Sequence, residues 1–428
     1  MNRTTVTVEG RLEGSVRVPP SKSYTHRAVL MASLSEGPSN ISNALFSRDT
    51  KATMAACRSM GAMLRESGST IRVEGTLPRT PEDVVNVENS GTTLRFMTSA
   101  FAAAPEGYVV LTGDTSIRRR PMQPLLDTLR ELGVEAWSTR GNGCAPVVVK
   151  AGGIEGGSAT IRGDVSSQFV SSLLISAPMA KRATSLAVAD AVSRPYIEAT
   201  LTLSRLFGIK VEREGFSRFQ VASGQGYKGA DFTVPADFSS ASFIVAAVGL
   251  AGGRVVLEDL NPSLPQGDSA ILAIASAMGV RVVQGATTVT VESDGGMLKG
   301  GTFNLGDTPD LLPVVAALAL RSETPVEVVG TAHARFKETD RIAILASELS
   351  KVGVRVEERP DGLKILPGGE IRPALLDAHD DHRMFMAFSL ASMLVPGGIP
   401  VLGAESLDVS YPNFLGDIER LGGKVESA

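Results

Sequence analysis

The stretch MGAMLRESGSTIRVEG (residues 60–75) combines an apolar residue, a glycine and two alternating runs separated by a short turn. Five further segments follow the same order, although the last ends after one alternating run; they begin at Leu132, Phe207, Met278, Val352 and Leu421. The shared glycines lie 69 to 75 residues apart: Gly61, Gly133, Gly208, Gly279, Gly353 and Gly422. So steady a period predicts six copies of one structural unit.

Each glycine follows a helical pattern, such as PLLDTLREL (124–132) or ATLTLSRLF (199–207). Glycine is common just beyond a helix because it adopts positive φ freely. The alternating runs after it are typical of a hairpin. Each unit is therefore predicted to run helix, glycine, strand, turn, strand. Six ordinary helix–strand junctions are the alternative, and the even spacing favours a true repeat.

The sixth copy lacks its second strand, and TTVTVEG (4–10) is predicted to supply it. This pairing would join both ends of the chain in one domain. The predicted domains are therefore 1–18 with 236–428, and an inserted domain, 19–235. The crossings are expected at Pro19–Pro20 and near Pro235, since proline stiffens the chain and interrupts a strand ladder.

Composition restricts the class of protein. The 428 residues are 43% hydrophobic and 21% charged, which is typical of a soluble globular protein with more than one domain. A net charge of −4 argues against nucleic acid as a partner. No run is long enough to span a membrane, and two cysteines are too few for a disulfide framework or a zinc site. Without a signal-peptide pattern, we expect a cytoplasmic protein.

Several apolar helices are preceded by small polar residues, as in NSGTTLRFMTSAFAA (89–103), GDVSSQFVSSLLISA (163–177) and PADFSSASFIVAAVGL (235–250). Ser, Thr, Asp and Asn are good N-caps, so simple capping explains any one of them. If the helices of stacked units run parallel, however, their N-termini gather at one end of a domain. Their free N–H groups would then favour a bound anion.

The stretch VPPSKSYTHRAVLMASL (18–34) places Lys22 four residues before His26, and Ser23 four before Arg27, so each pair shares a helix face. Cations at a helix N-terminus oppose the helix dipole. A bound anion would offset that cost, and a solvated basic turn is the alternative.

The segment ARFKETDRIAILASELSKVG (334–353) has an apolar stripe that continues back to Glu338 if the helix extends that far, with Lys337 and Arg341 beside it. A carboxylate between two cations is either a structural ion pair or a tuned catalytic acid. In DAHDDHRMFMAFSLASML (377–394), two histidines suggest a metal, but the adjacent Arg383 disfavours a cation, and we expect no metal.

Nine motifs carry a resemblance to a known family: PPSKSYTHR, NSGTTLR, LTGDTSIRRRP, GDVSSQF, VSRPYIE, PADFSSAS, TPDLLPVVAALA, RFKETDRI and DDHRMFMAFSL. In this order they closely resemble the 5-enolpyruvylshikimate-3-phosphate synthase family of enolpyruvyl transferases. The resemblance implies an α/β fold, a two-domain inverse α/β barrel. It has six βαβαββ repeats, three per domain, with buried helices, outward sheets and an active site in the cleft between the domains.

The resemblance also implies a reaction in aromatic amino acid biosynthesis. The enolpyruvyl group of phosphoenolpyruvate moves to the 5-hydroxyl of shikimate 3-phosphate, and phosphate is released by addition and elimination. It implies no cofactor and a monomer whose domains close on binding. Both substrates are anionic, which agrees with the cationic motifs.

Site residues follow from the resemblance by position. Glu338, Asp310 and Lys22 are the expected proton-transfer residues, and Arg27 is expected to meet the shikimate carboxylate. Ser166, Ser167, Ser193 and Lys337 are expected at the 3-phosphate, and Gln168, Ser23 and Tyr196 along the ring. Lys22, Arg120, Arg341, Arg383 and Gly91 are expected at phosphoenolpyruvate. Asn89, His333 and His382 complete the predicted substrate-binding set.

Three positions depart from the family pattern. His333 stands where the family often has an asparagine, Val409 where it often has a lysine, and Phe96 where a proline often follows the arginine. Two other functions remain alternatives: an enolpyruvyl transferase acting on UDP-N-acetylglucosamine, and a non-catalytic module that binds phosphorylated metabolites. The former relatives usually carry a loop cysteine, which neither Cys57 nor Cys144 matches.

Overall fold

The computed structural model describes residues 3–427, which divide into two compact units. The inserted unit runs from Pro20 to Val234, and the discontinuous unit comprises the chain up to Pro19 together with the chain from Pro235 onward. In the discontinuous unit, the Asp237 N–H donates to the Pro19 carbonyl at 2.9 Å, which joins the two places where the chain leaves and re-enters.

The helices, in chain order, are α1 (Lys22–Ser33), α2 (Arg48–Ser59), α3 (Gly91–Ala102), α4 (Gln123–Glu131), α5 (Ser167–Ser176), α6 (Arg194–Leu206), α7 (Phe238–Ala251), α8 (Ala270–Met278), α9 (Leu312–Ala319), α10 (Arg341–Lys351), α11 (His382–Ser392) and α12 (Phe414–Arg420). None of them within residues 3–427 is long and apolar enough to cross a lipid bilayer.

The strands, in chain order, are β1 (Arg3–Val8), β2 (Leu12–Val16), β3 (Ser35–Glu36), β4 (Pro38–Ser42), β5 (Met63–Ser67), β6 (Thr70–Glu74), β7 (Val85–Asn86), β8 (Tyr108–Thr112), β9 (Ala136–Ser138), β10 (Val147–Lys150), β11 (Gly157–Arg162), β12 (Thr184–Ala189), β13 (Val211–Glu214), β14 (Arg218–Val221), β15 (Tyr227–Lys228), β16 (Phe232–Thr233), β17 (Gly253–Leu257), β18 (Arg281–Gln284), β19 (Val289–Ser293), β20 (Gly301–Asn304), β21 (Val326–Val329), β22 (Arg355–Arg359), β23 (Gly362–Leu366), β24 (Leu376–Asp377), β25 (Val401–Leu402) and β26 (Gly423–Ser427).

Within the described residues these strands form six four-stranded sheets, three in each unit, besides a two-stranded pair of β15 and β3. The orders in the inserted unit are β16-β4-β6-β5, β7-β8-β10-β9 and β11-β12-β14-β13. Those in the discontinuous unit are β2-β17-β19-β18, β20-β21-β23-β22 and β24-β25-β1-β26. In every sheet the first two strands are parallel and the others antiparallel. Three sheets are continuous βαβαββ segments, as the resemblance implied: β7 to β10, β11 to β14 and β20 to β23. In the other three sheets one strand, β16, β2 or β1, comes from a distant part of the chain.

The sixth sheet confirms the predicted pairing of the chain ends. Strand β1 lies antiparallel between β25 and β26, with Thr4 opposite Ser427 and Val8 opposite Gly423. The middle of β1 is also bonded to the inner helix α11, because the Val6 N–H donates to the buried Ser392 hydroxyl at 3.3 Å.

Burial separates two kinds of helix. Helices α3, α9 and α11 are buried at every residue, and α1, α5 and α7 at nearly every one. Helices that are buried on every side suit the centre of a unit. The other six bury one face, and outer strands such as β5 have no buried residue. The predicted arrangement of inner helices and outward sheets is therefore confirmed within each unit.

All six repeat glycines have positive φ, between 82° and 110°. At the end of α2, the Gly61 N–H donates to the Arg58 carbonyl and the Ala62 N–H to the Cys57 carbonyl. This pair of bonds is a Schellman motif, which satisfies the last carbonyls of the helix and turns the chain into the hairpin. The predicted role of the glycines is confirmed.

Candidate active site

Three inner helices of the inserted unit begin at the same end. Arg95 donates to Gln168 at 2.6 Å, and the hydroxyls of Ser99 and Ser172 lie 2.6 Å apart. Both pairs join positions one helical turn apart on α3 to positions one turn apart on α5, in the same order. The two helices therefore run parallel, and the starts of α3 and α5 lie side by side.

Arg27 ties α1 into this end and is 2% exposed. Its guanidinium lies over the Phe96 ring, 5.1 Å from the centroid. Burial lowers its pKa to about 10. Four of its N–H groups donate to uncharged oxygens: Thr200 Oγ1 at 2.8 Å, the Ser23 and Tyr196 carbonyls at 3.0 Å and Ser171 Oγ at 3.3 Å. A buried cation held only by neutral groups is a favourable place for an anion.

Lys22 and His26, which share a face of α1, differ in charge. The Lys22 ammonium lies 3.0 Å from an Asp49 carboxylate oxygen and is partly exposed. His26 is 1% exposed, and burial, reinforced by the charges of Lys22 and Arg27, holds its pKa well below the ordinary value. The His26 ring is therefore neutral, and the two cationic groups at this helix start are Lys22 and Arg27.

The start of α3 packs against Arg120. Arg120 donates to Asn89 Oδ1 at 3.1 Å and to Ser116 Oγ at 3.1 Å, and it is 6% exposed. A Cβ added to Gly91 would lie 2.7 Å from Arg120 Nη1, so a larger residue would displace the guanidinium. The first helical residue is glycine because an arginine occupies the space that a side chain would need.

The start of α5 is organised by Ser166, whose hydroxyl caps the helix by accepting from the Gln168 N–H. Gln168 is held at both ends of its amide, by Arg95 at 2.6 Å and by Thr92 Oγ1 at 2.9 Å. Ser167 is the first residue of the helix and is buried. The predicted residues of GDVSSQF therefore lie together at a capped N-terminus beside α3.

Ser193 precedes α6 in a left-handed conformation, with φ 51° and ψ 39°. A non-glycine residue in this region stores strain, which is common at functional positions. Its carbonyl accepts from the Tyr196 N–H at 3.1 Å, and the Tyr196 carbonyl accepts from Arg27. Ser193 and Tyr196 thus lie at the same end of the inserted unit as Arg27.

The discontinuous unit holds a second cluster, centred on Asp310. This carboxylate lies 2.7 Å from Arg341, 3.0 Å from Arg383 and 3.3 Å from Lys337. Asp310 belongs to a short 3-10 turn, Pro309–Leu311, that leads directly into α9. The predicted residues Lys337, Arg341 and Arg383 therefore meet at the carboxylate of Asp310.

Arg341 is 1% exposed and meets two further carboxylates, Glu338 at 2.7 Å and Asp381 at 2.8 Å. Burial alone would lower its pKa, but the surrounding carboxylates raise it above the ordinary value. Asp381 also caps α11 by accepting from the Arg383 N–H at 3.0 Å. One arginine at the start of α10 thereby fixes the position of three acidic side chains.

Glu338 does not lie on a helix, although the apolar stripe of the α10 sequence can be extended back to it. Helix α10 begins at Arg341, capped by the Asp340 side chain, which accepts from the Ala343 N–H. Arg335 holds the preceding segment away from the helix axis by donating to the Pro360 and Arg359 carbonyls and to Asp340. Glu338 therefore lies in an irregular turn, where its carboxylate still reaches Arg341.

The remaining predicted residues of this unit lie nearby. His382 is buried beside Arg383, with 3.4 Å between Nε2 and Nη1. His333 is buried in the 3-10 helix Ala332–Phe336, four residues before Lys337. Burial lowers the pKa of the Lys337 ammonium, although the Asp310 carboxylate counteracts part of that effect.

Sequence reasoning missed three residues of these clusters. Arg95, in NSGTTLR, positions Gln168, and Asp381, in DDHR, positions Arg341. Asp268 is 3% exposed, and burial followed by the Asp310 charge raises its pKa to about 6. Arg95 and Asp381 both lie inside the quoted motifs. Arg95 follows the Ser90 cap of α3 by about one turn, and Asp381 is itself the cap of α11. Asp268 gave only a weak signal, an aspartate before the apolar helix α8.

Comparison with known proteins adds a match of residues 6–418 to the model of the family EPSP synthase (3-phosphoshikimate 1-carboxyvinyltransferase). The chain belongs to the EPSP synthase family. A 3-phosphoshikimate 1-carboxyvinyltransferase of Methanothermobacter thermautotrophicus is 48% identical over 412 residues, covering 96% of both chains. One of Methanocella arvoryzae is 45% identical over 416 residues, covering 96% of this chain and 97% of the relative.

A solved structure agrees in fold. The EPSP synthase of Acinetobacter baumannii superposes with a TM-score of 0.81 at 26% identity, covering all of both chains. The family resemblance and the α/β architecture inferred from the nine motifs are therefore confirmed.

Proposed function

We infer that this chain is an EPSP synthase, transferring the enolpyruvyl group of phosphoenolpyruvate to the 5-hydroxyl of shikimate 3-phosphate with release of phosphate. The family match across residues 6–418 is the observation that carries this conclusion. The two clusters support it, since each presents buried cations suited to anionic substrates. We propose that both clusters act on the same pair of substrates.

The reaction needs proton transfers in both of its steps. When the 5-hydroxyl oxygen adds to C2 of phosphoenolpyruvate, C3 gains a proton and the hydroxyl loses one. Elimination then breaks the C2–O bond to phosphate and removes a proton from C3, which restores the double bond. One group must therefore act first as an acid and then as a base at C3.

Glu338 is our candidate for the C3 proton. Its carboxyl group lies 2.7 Å from Arg341, which fixes its position at the cluster. Asp310 is our candidate for accepting the hydroxyl proton, because its three cationic neighbours stabilise its charged form, which is the form that a base needs. Lys22 is proposed to share the second role.

Substrate contacts remain proposals of the same kind. Arg27 suits the shikimate carboxylate because its protein partners are all neutral oxygens. The capped start of α5 suits the 3-phosphate, because N–H groups at a helix N-terminus bind anions. Arg120, Arg341, Arg383, Lys22 and Gly91 are proposed to hold phosphoenolpyruvate.

The deciding experiment is an acceptor assay. Phosphate release from phosphoenolpyruvate is measured with shikimate 3-phosphate and, separately, with UDP-N-acetylglucosamine. We expect turnover only with shikimate 3-phosphate. Turnover only with the sugar nucleotide would favour the related transferase, and binding without turnover of either would favour a non-catalytic module. A cytoplasmic location, a monomeric state and the absence of a cofactor stay predictions.

A further inference from the structure

Four buried side chains form a continuous hydrogen-bonded row across α1, α2 and α3. His26 Nδ1 lies 2.6 Å from Thr53 Oγ1, which lies 2.6 Å from Thr93 Oγ1, which lies 2.6 Å from Ser90 Oγ. Each of the four residues is at most 2% exposed. We call this row the His26–Ser90 chain.

The direction of its hydrogen bonds follows from its far end. Ser90 Oγ caps α3 by accepting from the Thr93 N–H at 3.1 Å, and the Thr93 hydroxyl also donates to Ser90. With its proton used there, Thr93 Oγ1 must accept from Thr53. The Thr53 proton is then used as well, so Thr53 must accept from His26.

His26 is therefore the tautomer that carries its proton on Nδ1. Its Nε2 is left as a bare acceptor, and that atom is buried with no hydrogen-bond partner among the described residues. A neutral imidazole of this form can occupy only one orientation, because a ring flip would break the bond to Thr53.

The two ends of the chain lie beside residues that we assign to the substrates. His26 lies one turn after Lys22 on α1 and directly before Arg27. Ser90 lies directly before Gly91, whose α-carbon faces Arg120. The chain thus fixes the start of α3 relative to the start of α1, and with it the spacing of these cations.

We propose that His26 and Thr53 are positioning residues of the enzyme, which set the distance between the Lys22–Arg27 end of α1 and the Gly91–Arg120 site through an Nδ1–H tautomer of His26. They act through Ser90 and contact no reacting atom. The proposal rests on the proposed function only for its kinetic consequence, since the tautomer of His26 is set by the His26–Ser90 chain whatever the substrate is.

The kinetic test uses Thr53→Val, which keeps the shape of the side chain and removes the hydroxyl. Thr98→Val is the matched control, because Thr98 is also buried and its hydroxyl bonds locally to the Leu94 carbonyl. We expect Thr53→Val to raise KM for phosphoenolpyruvate at least tenfold, Thr53→Ser to restore it, and Thr98→Val to leave it within twofold. Equal KM changes in the two valine variants would overturn the proposal.

The structural test is nitrogen NMR of histidine-labelled enzyme. We expect His26 to show a protonated Nδ1 and an unprotonated Nε2 throughout pH 6.5 to 8.5, and Thr53→Val to lose this fixed pattern. A His26 signal that titrates in this range, or that shows the Nε2–H tautomer, would contradict the proposal. If the unsubstituted enzyme lacked activity in the acceptor assay, the proposed function would fail, and the nitrogen spectra would still decide the tautomer.

Discussion

At the residue scale, the buried arginines of the two clusters have partners of different charge. Arg27 meets only hydroxyl and carbonyl oxygens, whereas Arg341 meets the carboxylates of Asp310, Glu338 and Asp381. A substrate carboxylate would supply the missing counter-charge at Arg27. At Arg341 an anionic substrate would compete with protein carboxylates, so we expect this arginine to position acids as well as to bind.

The role of Glu338 is testable by Glu338→Gln. The amide keeps the size of the side chain but cannot give and take a proton at C3, so we expect kcat to fall at least a hundredfold. KM should change little, because Arg341 retains Asp310 and Asp381. The steady-state kinetics of Glu338→Gln are compared with those of Glu419→Gln, which changes an exposed glutamate of α12. A kcat near that of the unsubstituted enzyme would remove Glu338 from proton transfer.

The elevated pKa of Asp268 predicts a pH-dependent stability difference. Because the folded protein holds this proton up to about pH 6, whereas an unfolded aspartate loses it near pH 4, stability from this group is lost as pH rises through that window. Asp268→Asn cannot ionise. The unfolding free energy of Asp268→Asn minus that of the parent should therefore increase by up to about 3 kcal/mol as the pH rises from 4 to 7. Denaturant titrations of both proteins over this range check the sign, and a parent that gains instead would contradict the assignment.

At the element scale, Arg335 explains why sequence reasoning misplaced Glu338. The apolar stripe of α10 continues back through Glu338, and no local rule excludes a longer helix. The helix starts at Arg341 because Arg335 anchors the preceding segment to the β22–β23 turn, a contact made across 24 residues. Such a tertiary anchor leaves no periodic signal in the sequence.

We expect Arg335→Met to loosen this segment and to lower kcat at least tenfold while the fold persists. The matched control is Arg355→Met, because Arg355 lies on β22 and donates to the Pro367 carbonyl at 2.7 Å. Kinetics and thermal unfolding of both variants separate positioning from stability. A loss of activity that merely follows the melting temperature in both variants would count against the anchor.

Local chemistry predicted the repeating elements well. The positive φ of the glycines, the Ser90, Ser166 and Asp237 caps and the hairpins all follow from neighbouring residues, and the structure has them. The neutral His26, Arg95 and Asp268 did not follow, because each depends on what surrounds it in space. Burial and the charges of residues distant in sequence determine the charge state and role of such residues, and neither can be inferred from a local sequence pattern.

At the scale of the whole molecule, the paired ends of the chain predict that it tolerates circular permutation. Thr4 and Ser427 are opposite each other on adjacent strands, so their α-carbons lie about 5 Å apart. Joining the ends by a short Gly/Ser linker and opening the exposed β13–β14 turn before Gly215 should retain the circular dichroism spectrum and most activity. Opening α3, which is buried throughout, is the control and should abolish folding. A misfolded first permutant would contradict the prediction.

The position of β1 also has a consequence for how the protein is made. As the chain leaves the ribosome, the inserted unit is complete once Val234 has emerged, and it can fold on the spot. Strand β1 is synthesised long before both of the strands it pairs with, β25 and β26. During that interval its unpaired edge is open to wrong partners, and a chaperone that shields nascent strands would be most useful to this protein there.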